Sequence, residues 1–312
     1  MQGSTKKKAM KKTIVVYNSL SGSINEKLIN RINRRLLLKG FDTRLFSTSK
    51  VNEAYFLIRD QIENKRENVD FVTVIGGDGI INDAVNALAG KPIPLAVIPS
   101  GTGNSFAKDK KIPLHYWKAV NIINEKNIKT VDLGLINDEK YFLMMCSSGF
   151  DVRAISNISP RLKRRFKLLA YLYHGFRSFF YFKPAKLKVS LKGSKESISG
   201  YFCIISNIAS YGIPQAKIAP HASIADGKLD VCVFTSDNKQ SLIKNILAIF
   251  IGQHINFKNV IYFQTSEEVL IEQDDKYKKT LQKVQIDGDL FKEMPVRVRV
   301  SPKALNIFLP GR

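Results

Sequence analysis

Three glycine-bearing segments of the sequence carry residue types that suit phosphate. Residues 76–82 read Gly-Gly-Asp-Gly-Ile-Ile-Asn and lie between a short apolar run and a helical pattern. Glycines at such a turn let the backbone approach a ligand closely, and the following helix N terminus presents N–H groups to an anion. Asp78 would repel phosphate unless a cation or a proton lay between them. The segment indicates phosphate chemistry, although a structural turn also uses two glycines.

Two further segments are expected beside it. Residues 99–104 read Pro-Ser-Gly-Thr-Gly-Asn and follow the next buried strand, and residues 18–22 read Asn-Ser-Leu-Ser-Gly and follow the first strand. Open α/β sheets bind ligands outside the carboxyl ends of their strands, so the three loops are predicted to form the floor and wall of a nucleotide site. For residues 18–22 alone, an ordinary helix N-cap is an equally good interpretation.

The elements that position these loops alternate in the first half of the chain. β-Branched runs and helical spacing of apolar residues predict strands at 13–17, 43–46, 70–75 and 93–98, with helices at 25–38, 53–63 and 80–88. Regular alternation of strand and helix predicts an α/β domain with an open parallel sheet.

After about residue 130 strands follow one another, which predicts a β-rich sandwich. The predicted strands are 141–146, 186–191, 201–206, 228–234, 260–263, 267–271, 280–286, 296–300 and 304–309, with helices at 160–180 and 239–251. We therefore expect a basic tail at 1–12, an α/β domain at 13–130 and a β-rich domain at 131–312. The cleft should lie between the two domains, with the last strand packing back on the first.

The charge of the chain points to an anionic partner. Forty-nine Lys and Arg against 27 Asp and Glu give a net charge of +22. Such a field attracts nucleic acid or an anionic membrane surface. No zinc spacing, helix–turn–helix pattern or RNA-binding aromatic signature is visible, so a nucleic-acid partner is not expected.

Cysteine usage and hydropathy exclude other classes. Cys146, Cys203 and Cys232 are far apart and form no CxxC pair, which argues against a disulfide framework or a zinc site. Buried thiols in a reducing cytoplasm are the simplest interpretation. No apolar run reaches the length of a membrane span or a signal-peptide core, so a soluble or peripheral protein is expected.

The motifs together resemble a known superfamily. GGDGxxN followed by a strand and PxGTGN is similar to the nucleotide-binding half of the diacylglycerol, sphingosine and ceramide kinases. Later blocks of that family are matched in order by residues 131–134, 149–151, 224–231 and 286–289. Each block alone is weak, but their order along nearly the whole chain makes the resemblance specific.

The resemblance implies a role for each matching residue. ATP would be bound by Gly76, Gly77, Asp78, Gly79, Ile80, Ile81, Asn82, Gly101 and Thr102, with Asn18 in the first loop and Thr48, which stands six residues before Ala54. A structural Mg²⁺ would be held by Ser223, Asp226 and Lys228. Asp287 would be the general base.

The residues themselves leave alternatives open. Asp226-Gly227 is also a good turn pair, and Asp287-Gly288 is the usual hairpin signal. On a regular strand Asp287 and Asp289 would share one face, which would raise one pKa for work as a base. Asp78 would either anchor the water shell of Mg²⁺ or share the role of base.

Five positions depart from the family pattern. Ile80 replaces a threonine, Ser19 a proline, Ala225 and Ser223 acidic residues, and Asp289 a glutamate. The phosphate cradle depends on backbone N–H groups and should survive these changes. Tight Mg²⁺ binding and turnover are the properties expected to weaken.

The acceptor is expected to be a lipid. Residues 161–167 are basic and lead into the aromatic-rich residues 168–182, which suits anionic headgroups and inserted rings, although a core helix with a solvated end fits as well. Diacylglycerol, giving phosphatidic acid, is the first acceptor predicted; a sphingoid base, another lipid alcohol or the soluble acceptor of an NAD-kinase-like enzyme are alternatives. The predicted location is the cytoplasm at the inner face of the membrane, and a homodimer is left open.

Overall fold

The computed structural model of the chain describes residues 10–19, 24–50, 52–64, 69–149, 185–210, 212, 214–274 and 282–311. Four parallel strands begin the fold, in the order β2-β1-β3-β4. They are β1 (Lys11–Asn18), β2 (Phe41–Thr48), β3 (Phe71–Gly76) and β4 (Leu95–Pro99). The helices among and after them are α1 (Glu26–Leu38), α2 (Glu53–Glu63), α3 (Asp78–Leu88), α4 (Ser105–Asp109) and α5 (Tyr116–Glu125).

Local sequence explains these elements. All six positions of β3 are buried, as expected of a central parallel strand covered on both faces. The side chain of Asn25 caps α1 by accepting a 2.9 Å hydrogen bond from Leu28 N–H. The same helix buries Ile29, Ile32 and Leu36 at helical spacing against the sheet.

The rest of the described chain is mostly β. Its elements are β5 (Ile128–Ile136), β6 (Lys140–Phe142), β7 (Met145–Ser148), β8 (Leu187–Leu191), β9 (Ile198–Gly200), β10 (Phe202–Ser206), β11 (Leu229–Phe234), α6 (Lys239–Ile249), β12 (Val260–Thr265), β13 (Val269–Gln273), β14 (Lys283–Ile286), β15 (Asp289–Glu293) and β16 (Val296–Phe308). One sheet has the order β12-β11-β10-β7-β14-β15. Strands β16, β13, β8 and β9 form the facing layer, and one buried apolar cluster holds side chains of both sheets. The predicted α/β domain with a β-sandwich is confirmed.

Strand β16 joins the two parts of the molecule. Near its end Ile307 pairs in parallel with Leu95 of β4. Near its beginning Val298 pairs with Val269 of β13 and with Ile136 of β5, both antiparallel. The parallel sheet of the first part therefore continues through β16 into one layer of the sandwich.

Several predicted elements differ in detail. The single strand expected at 141–146 is two strands, β6 and β7. The strand breaks because the N–H groups of residues 143–145 point toward the carboxylate of Asp287. The strands expected at 296–300 and 304–309 are one strand with a register shift between Ser301 and Leu305. Helices α4 and α5 and strands β5, β9 and β15 were not predicted as elements.

Some predictions lie outside the described residues. These are the basic aromatic helix at 160–180, positions 20–22 of the first loop, and Phe150 and Asp151 of the 149–151 block. The three cysteines are buried. In the part of the chain that the structure describes, no helix is long and apolar enough to cross a membrane.

Candidate active site

The two principal glycine loops lie against each other at the carboxyl edge of the parallel sheet. Gly76 at the end of β3 is in register with Pro99 at the end of β4, and Ser100 N–H donates to the Gly76 carbonyl at 2.9 Å. A Cβ on Gly101 would stand 2.4 Å from the Cα of Gly77, which no side chain tolerates. Glycine is therefore required at this contact because the two backbones touch.

Two polar side chains fix the second loop. The amide of Asn104 donates to the Gly101 carbonyl at 2.7 Å and accepts from Gly101 N–H at 2.9 Å. The Asp78 carboxylate accepts from the N–H groups of Ser105 and Phe106 at 3.0 and 3.2 Å. Asp78 thus caps the first turn of α4 and ties the first loop to the second.

The N terminus of α3 is open toward ligand. Gly77 is its N-cap residue, and no side chain caps the helix. A Cβ on Gly79 would meet no atom of the described residues within 4 Å, so none of these residues fills the space beside the first turn. Uncapped N–H groups at a helix N terminus attract phosphate. The side chain of Ile80 packs its Cγ2 against Gly76 and is 8% exposed, and Ile81 is buried in the core as well. The role predicted for both residues at the nucleotide stays a prediction.

The predicted residues of β1 and β2 reach the same edge. Asn18 is in register with Thr48, and the preceding Tyr17 pairs with Ile75 of β3. Thr48 is buried, and its hydroxyl donates to the Tyr17 carbonyl at 3.2 Å. The Thr48 carbonyl accepts from the N–H and hydroxyl of Ser19 at 2.9 and 3.0 Å. Thr48 therefore shapes the first loop through its backbone. Thr102 is exposed at the tip of the second loop.

Asp287 reaches this edge from the sandwich. It lies at the β14–β15 turn, where Ile286 pairs with Asp289, and both Asp287 and Gly288 have positive φ, +49° and +93°. Such angles are those of the predicted two-residue hairpin turn. The tight turn aims the carboxylate back into the protein.

The carboxylate of Asp287 accepts four hydrogen bonds. The N–H groups of residues 143–145 donate at 2.9 Å each, and the amide of Asn82 donates at 2.7 Å. The break between β6 and β7 supplies the three backbone donors. A carboxylate has about four lone-pair positions, so all are engaged. Burial raises the pKa of Asp287, and these four hydrogen bonds oppose that rise.

Helix α3 is the second partner of this junction. Asn82 and Asn86 lie one turn apart on the same face. The side-chain amide of Asn86 donates to the Tyr141 carbonyl at 3.0 Å and accepts from Tyr141 N–H at 2.8 Å. The amide thus forms the pair of hydrogen bonds that the backbone of an adjacent strand would form. The helix that carries the glycine loop is thereby fastened to β6 and to Asp287. The roles of Asn86 and Tyr141 were not predicted, although asparagines at i and i+4 on an otherwise apolar helix are a visible signal.

A second pair of carboxylates lies nearby. Asp83 is half-buried, and burial raises its pKa to about 6; the field of Asp289 adds to this rise and that of Lys140 opposes it. The residue that Asp289 influences is therefore Asp83 of α3. The shared strand face predicted for Asp287 and Asp289 is wrong, because the Gly288 turn sends Asp287 inward and leaves Asp289 exposed.

The loop predicted to hold Mg²⁺ offers few ligands. Asp226 is exposed, and its carboxylate accepts from Lys228 N–H at 3.1 Å; Ser223 is exposed too. The loop is anchored by the buried Asp132, which accepts from Gly227 N–H and Lys303 N–H at 2.7 Å each. Among the described residues no group of three or more His, Cys, Asp or Glu is placed to hold a metal ion. One carboxylate with neutral oxygens is too few protein ligands for a calcium cage, whereas Mg²⁺ is usually bound by one or two carboxylates and keeps several of its waters.

The site therefore consists of two glycine loops at the edge of a parallel sheet and a carboxylate that the β-sandwich holds beside them. The Diacylglycerol kinase catalytic domain family matches residues 12–136, and the YegS C-terminal NAD kinase beta sandwich-like domain matches residues 144–309, more than half of the chain. The chain belongs to this bacterial family of diacylglycerol kinase-like lipid kinases, and it is a kinase.

Curated relatives agree along the whole length. A diacylglycerol kinase of Mycobacterium tuberculosis is 27% identical over 315 residues, covering 99% of this chain and 98% of that protein. A diacylglycerol kinase of Bacillus subtilis is 26% identical over 280 residues, covering 86% of this chain and 90% of that protein. The correspondence therefore spans both domains.

Solved structures share the fold. The crystal structure of a diacylglycerol kinase from Bacillus anthracis str. Sterne superposes with a TM-score of 0.71 at 19% identity, covering 97% of this chain and 98% of that chain. Another crystal structure from the same organism gives a TM-score of 0.78 at 20% identity, covering 97% and 99%. The arrangement of the two domains is thus found in crystals of related proteins.

Proposed function

We propose that the chain transfers the γ-phosphate of ATP to the hydroxyl of diacylglycerol, giving phosphatidic acid and ADP. The observation that carries the proposal is the junction at α3. One end of this helix is an uncapped N terminus beside two touching glycine loops, and its Asn82 holds the buried carboxylate of Asp287 at 2.7 Å. A phosphate cradle and a candidate proton acceptor are joined through a single helix. The names of the curated relatives support diacylglycerol as the acceptor.

The reaction needs positioning and charge stabilisation more than covalent help from the protein. The acceptor oxygen forms a bond to the γ-phosphorus while the bond from that phosphorus to its bridging oxygen breaks, and ADP leaves. The N–H groups at the start of α3 and the backbone of the second loop hold the triphosphate. Magnesium arrives with ATP as the substrate complex.

We assign the proton to Asp287. All its lone pairs are engaged, but three donors are backbone groups of residues 143–145 and one is the side-chain amide of Asn82. The acceptor hydroxyl therefore takes the position of the Asn82 amide, the one donor that moves by side-chain rotation. The burial that raises the pKa of Asp287 favours uptake of a proton.

Asp78 has a different proposed role. Its two oxygens already accept from Ser105 and Phe106 N–H groups, so it holds the loops together. This link between the two loops supports Asp78 as a positioning residue for ATP. The Mg²⁺ predicted at Ser223, Asp226 and Lys228 stays a prediction, and no step of the reaction depends on it.

Phosphate transfer from labelled ATP to a panel of acceptors tests the proposal. The panel contains diacylglycerol, sphingosine, ceramide and, because the second domain matches an NAD kinase-like family, NAD. Labelled phosphatidic acid as the main product is the expected result. If labelled NADP forms and labelled phosphatidic acid does not, the acceptor is a soluble nucleotide. If no acceptor gives a labelled product, the proposal is refuted.

A further inference from the structure

Helix α6 and the two residues that follow it leave a row of large apolar side chains exposed. Five exposed side chains recur at i, i+3, i+4, i+7 and i+8 along one face; we call them the α6 stripe: Ile243, Ile246, Leu247, Phe250 and Ile251. Leu247 is 65% exposed and Ile251 73% exposed. A helix of a globular protein normally points such a face at the core.

The face of α6 that packs on the protein includes a small, a polar and an apolar side chain, and Ile249 of this face contacts the main apolar core. Asn245 and Ala248 are buried, at 2% and 5% exposure, and lie on the opposite side of the helix from the stripe. The side-chain oxygen of Asn245 is buried with no hydrogen-bond partner among the described residues. In this orientation of α6 a polar oxygen is buried without a hydrogen bond to the described residues, while the apolar stripe is exposed. Both features indicate that another molecule covers the stripe.

The surroundings of the stripe are basic. Residues 238–266 contain three lysines and no Asp or Glu. Lys244 is exposed on α6 itself, and Lys217 is exposed beside the helix end, where its N–H donates to the Ile249 carbonyl at 3.0 Å. An apolar helix face flanked by lysines is the composition of helices that lie in the interface of anionic membranes.

The stripe is also connected to the candidate active site. Lys217, which contacts the end of α6, belongs to the connection between β10 and β11. In the same connection Ser210 donates from both its N–H and its hydroxyl to Asp109, the last residue of α4. Helix α4 begins directly after the second glycine loop. One connection thus touches both the stripe and the helix that follows this loop.

We propose that the α6 stripe docks on an anionic lipid bilayer, with its apolar side chains between the headgroups and Lys244 and Lys217 against lipid phosphates. The inference deepens the proposed function, on which it rests, because it gives the surface from which a bilayer-embedded acceptor is reached. A second copy of the chain fits less well, since a two-fold contact through the stripe would bring like charges of Lys244 together.

Vesicle binding of the full-length protein without ATP tests the surface directly. The probes are phosphatidylcholine vesicles with and without phosphatidylglycerol, separated by sedimentation. The double variant Leu247→Ser/Ile251→Ser should bind the anionic vesicles at least about tenfold more weakly than wild type. Lys244→Glu should weaken binding to anionic vesicles and leave binding to neutral ones unchanged. The matched control is Phe56→Ser on α2, because Phe56 is 67% exposed and lies far from α6 in sequence.

Three results would overturn the proposal. If the double variant binds anionic vesicles as tightly as wild type does, the stripe is not the surface that docks on the membrane. A dimeric wild type that becomes monomeric in the double variant, with vesicle binding unchanged, would assign the stripe to a second copy. A clear fall in the melting temperature of the double variant, with none for Phe56→Ser, would show that the chain itself covers the stripe.

Turnover separates this inference from the proposed function. With a short-chain diacylglycerol dissolved as monomer, the double variant should phosphorylate at the wild-type rate; with long-chain diacylglycerol in anionic vesicles it should lose most of its activity. If no acceptor is phosphorylated by wild type but vesicle binding still depends on the stripe, the proposed function fails and the docking surface stands. If wild type and the double variant phosphorylate vesicle-embedded lipid equally, the docking surface is refuted and the proposed function is retained.

Discussion

The side-chain amide of Asn82 donates a 2.7 Å hydrogen bond to the carboxylate of Asp287, 205 positions further along the chain. Asn82 lies one turn after the glycine loop, on α3, and Asp287 lies at the tip of a hairpin in the sandwich. One hydrogen bond thus joins the phosphate-binding element of one domain to the candidate base of the other.

Asp287→Asn should lower kcat by at least about 10²-fold, the smaller effect expected when a general base is lost. Affinity for Mg·ATP should change little, because the phosphates are held by the other domain. Steady-state kinetics with calorimetric ATP titration measure both quantities. Asp289→Asn is the matched control and should cost less, since Asp289 is exposed and bonds to neither loop. Near wild-type turnover in Asp287→Asn would remove the base role from this residue.

Asn82→Ala should shift the pH profile of kcat/KM for the acceptor, because this profile reports the enzyme before the acceptor hydroxyl takes the position of the Asn82 amide. The hydrogen bond from Asn82 lowers the pKa of Asp287, so its loss raises that pKa, and the acid limb of the profile moves to higher pH. Asn86→Ala also loosens the contact of α3 with β6, through Tyr141, and removes the 3.1 Å hydrogen bond that Asn86 donates to the Asn82 side-chain oxygen. It keeps all four donor groups of Asp287, so its shift should be smaller than that of Asn82→Ala. An equal shift in both variants, or none in Asn82→Ala, would show that Asp287 does not titrate in the reaction.

Gly79→Ala should raise the KM for ATP without loss of stability. The new Cβ meets no atom of the residues that the structure describes within 4 Å, and alanine improves helix propensity by up to about 1 kcal/mol. The Cβ nevertheless enters the space proposed for the triphosphate. Gly101→Ala should raise the same KM and also lower the melting temperature, because its Cβ would stand 2.4 Å from Gly77. An unchanged KM in Gly79→Ala would place the phosphates elsewhere.

Asp83→Asn should stabilise the protein at pH 8 and have little effect at pH 4. Burial raises the pKa of Asp83 from 3.8 to about 6 in the folded state, so its stabilising proton is fully present below pH 3.8 and is lost as the pH rises through about 6. Asparagine carries no charge, so it removes the free-energy cost of burying the ionised carboxylate, which is present at pH 8. Urea unfolding at both pH values measures the effect, and an equal gain at pH 4 and pH 8 would contradict the shifted pKa.

Much of the architecture could be predicted because local pattern determines it. The buried run at 71–76 and the glycines after it specify a parallel strand ending at a ligand edge. The Asp287-Gly288 pair specifies a tight hairpin. These features depend on neighbouring residues, so a single sequence is sufficient.

The contacts between distant segments could not be predicted in this way. Residues 141–146 are apolar enough for one strand, and only the carboxylate of Asp287 explains why the strand breaks after Phe142. Asp78 resembles a ligand of metal or phosphate in sequence, whereas the distant α4 takes both of its oxygens. Side chains that satisfy backbone donors far away in sequence leave no periodic signal.

The position of β16 has a consequence during biosynthesis. Residues 296–308 leave the ribosome after every other strand of their sheet, yet they lie between β4 and β13 and along β5. Until they arrive, β4 and β5 present open edges, which are templates for pairing with other nascent chains. The first domain therefore completes its sheet only when synthesis of the second is nearly finished, and a chain stalled before residue 296 is exposed to aggregation through these edges.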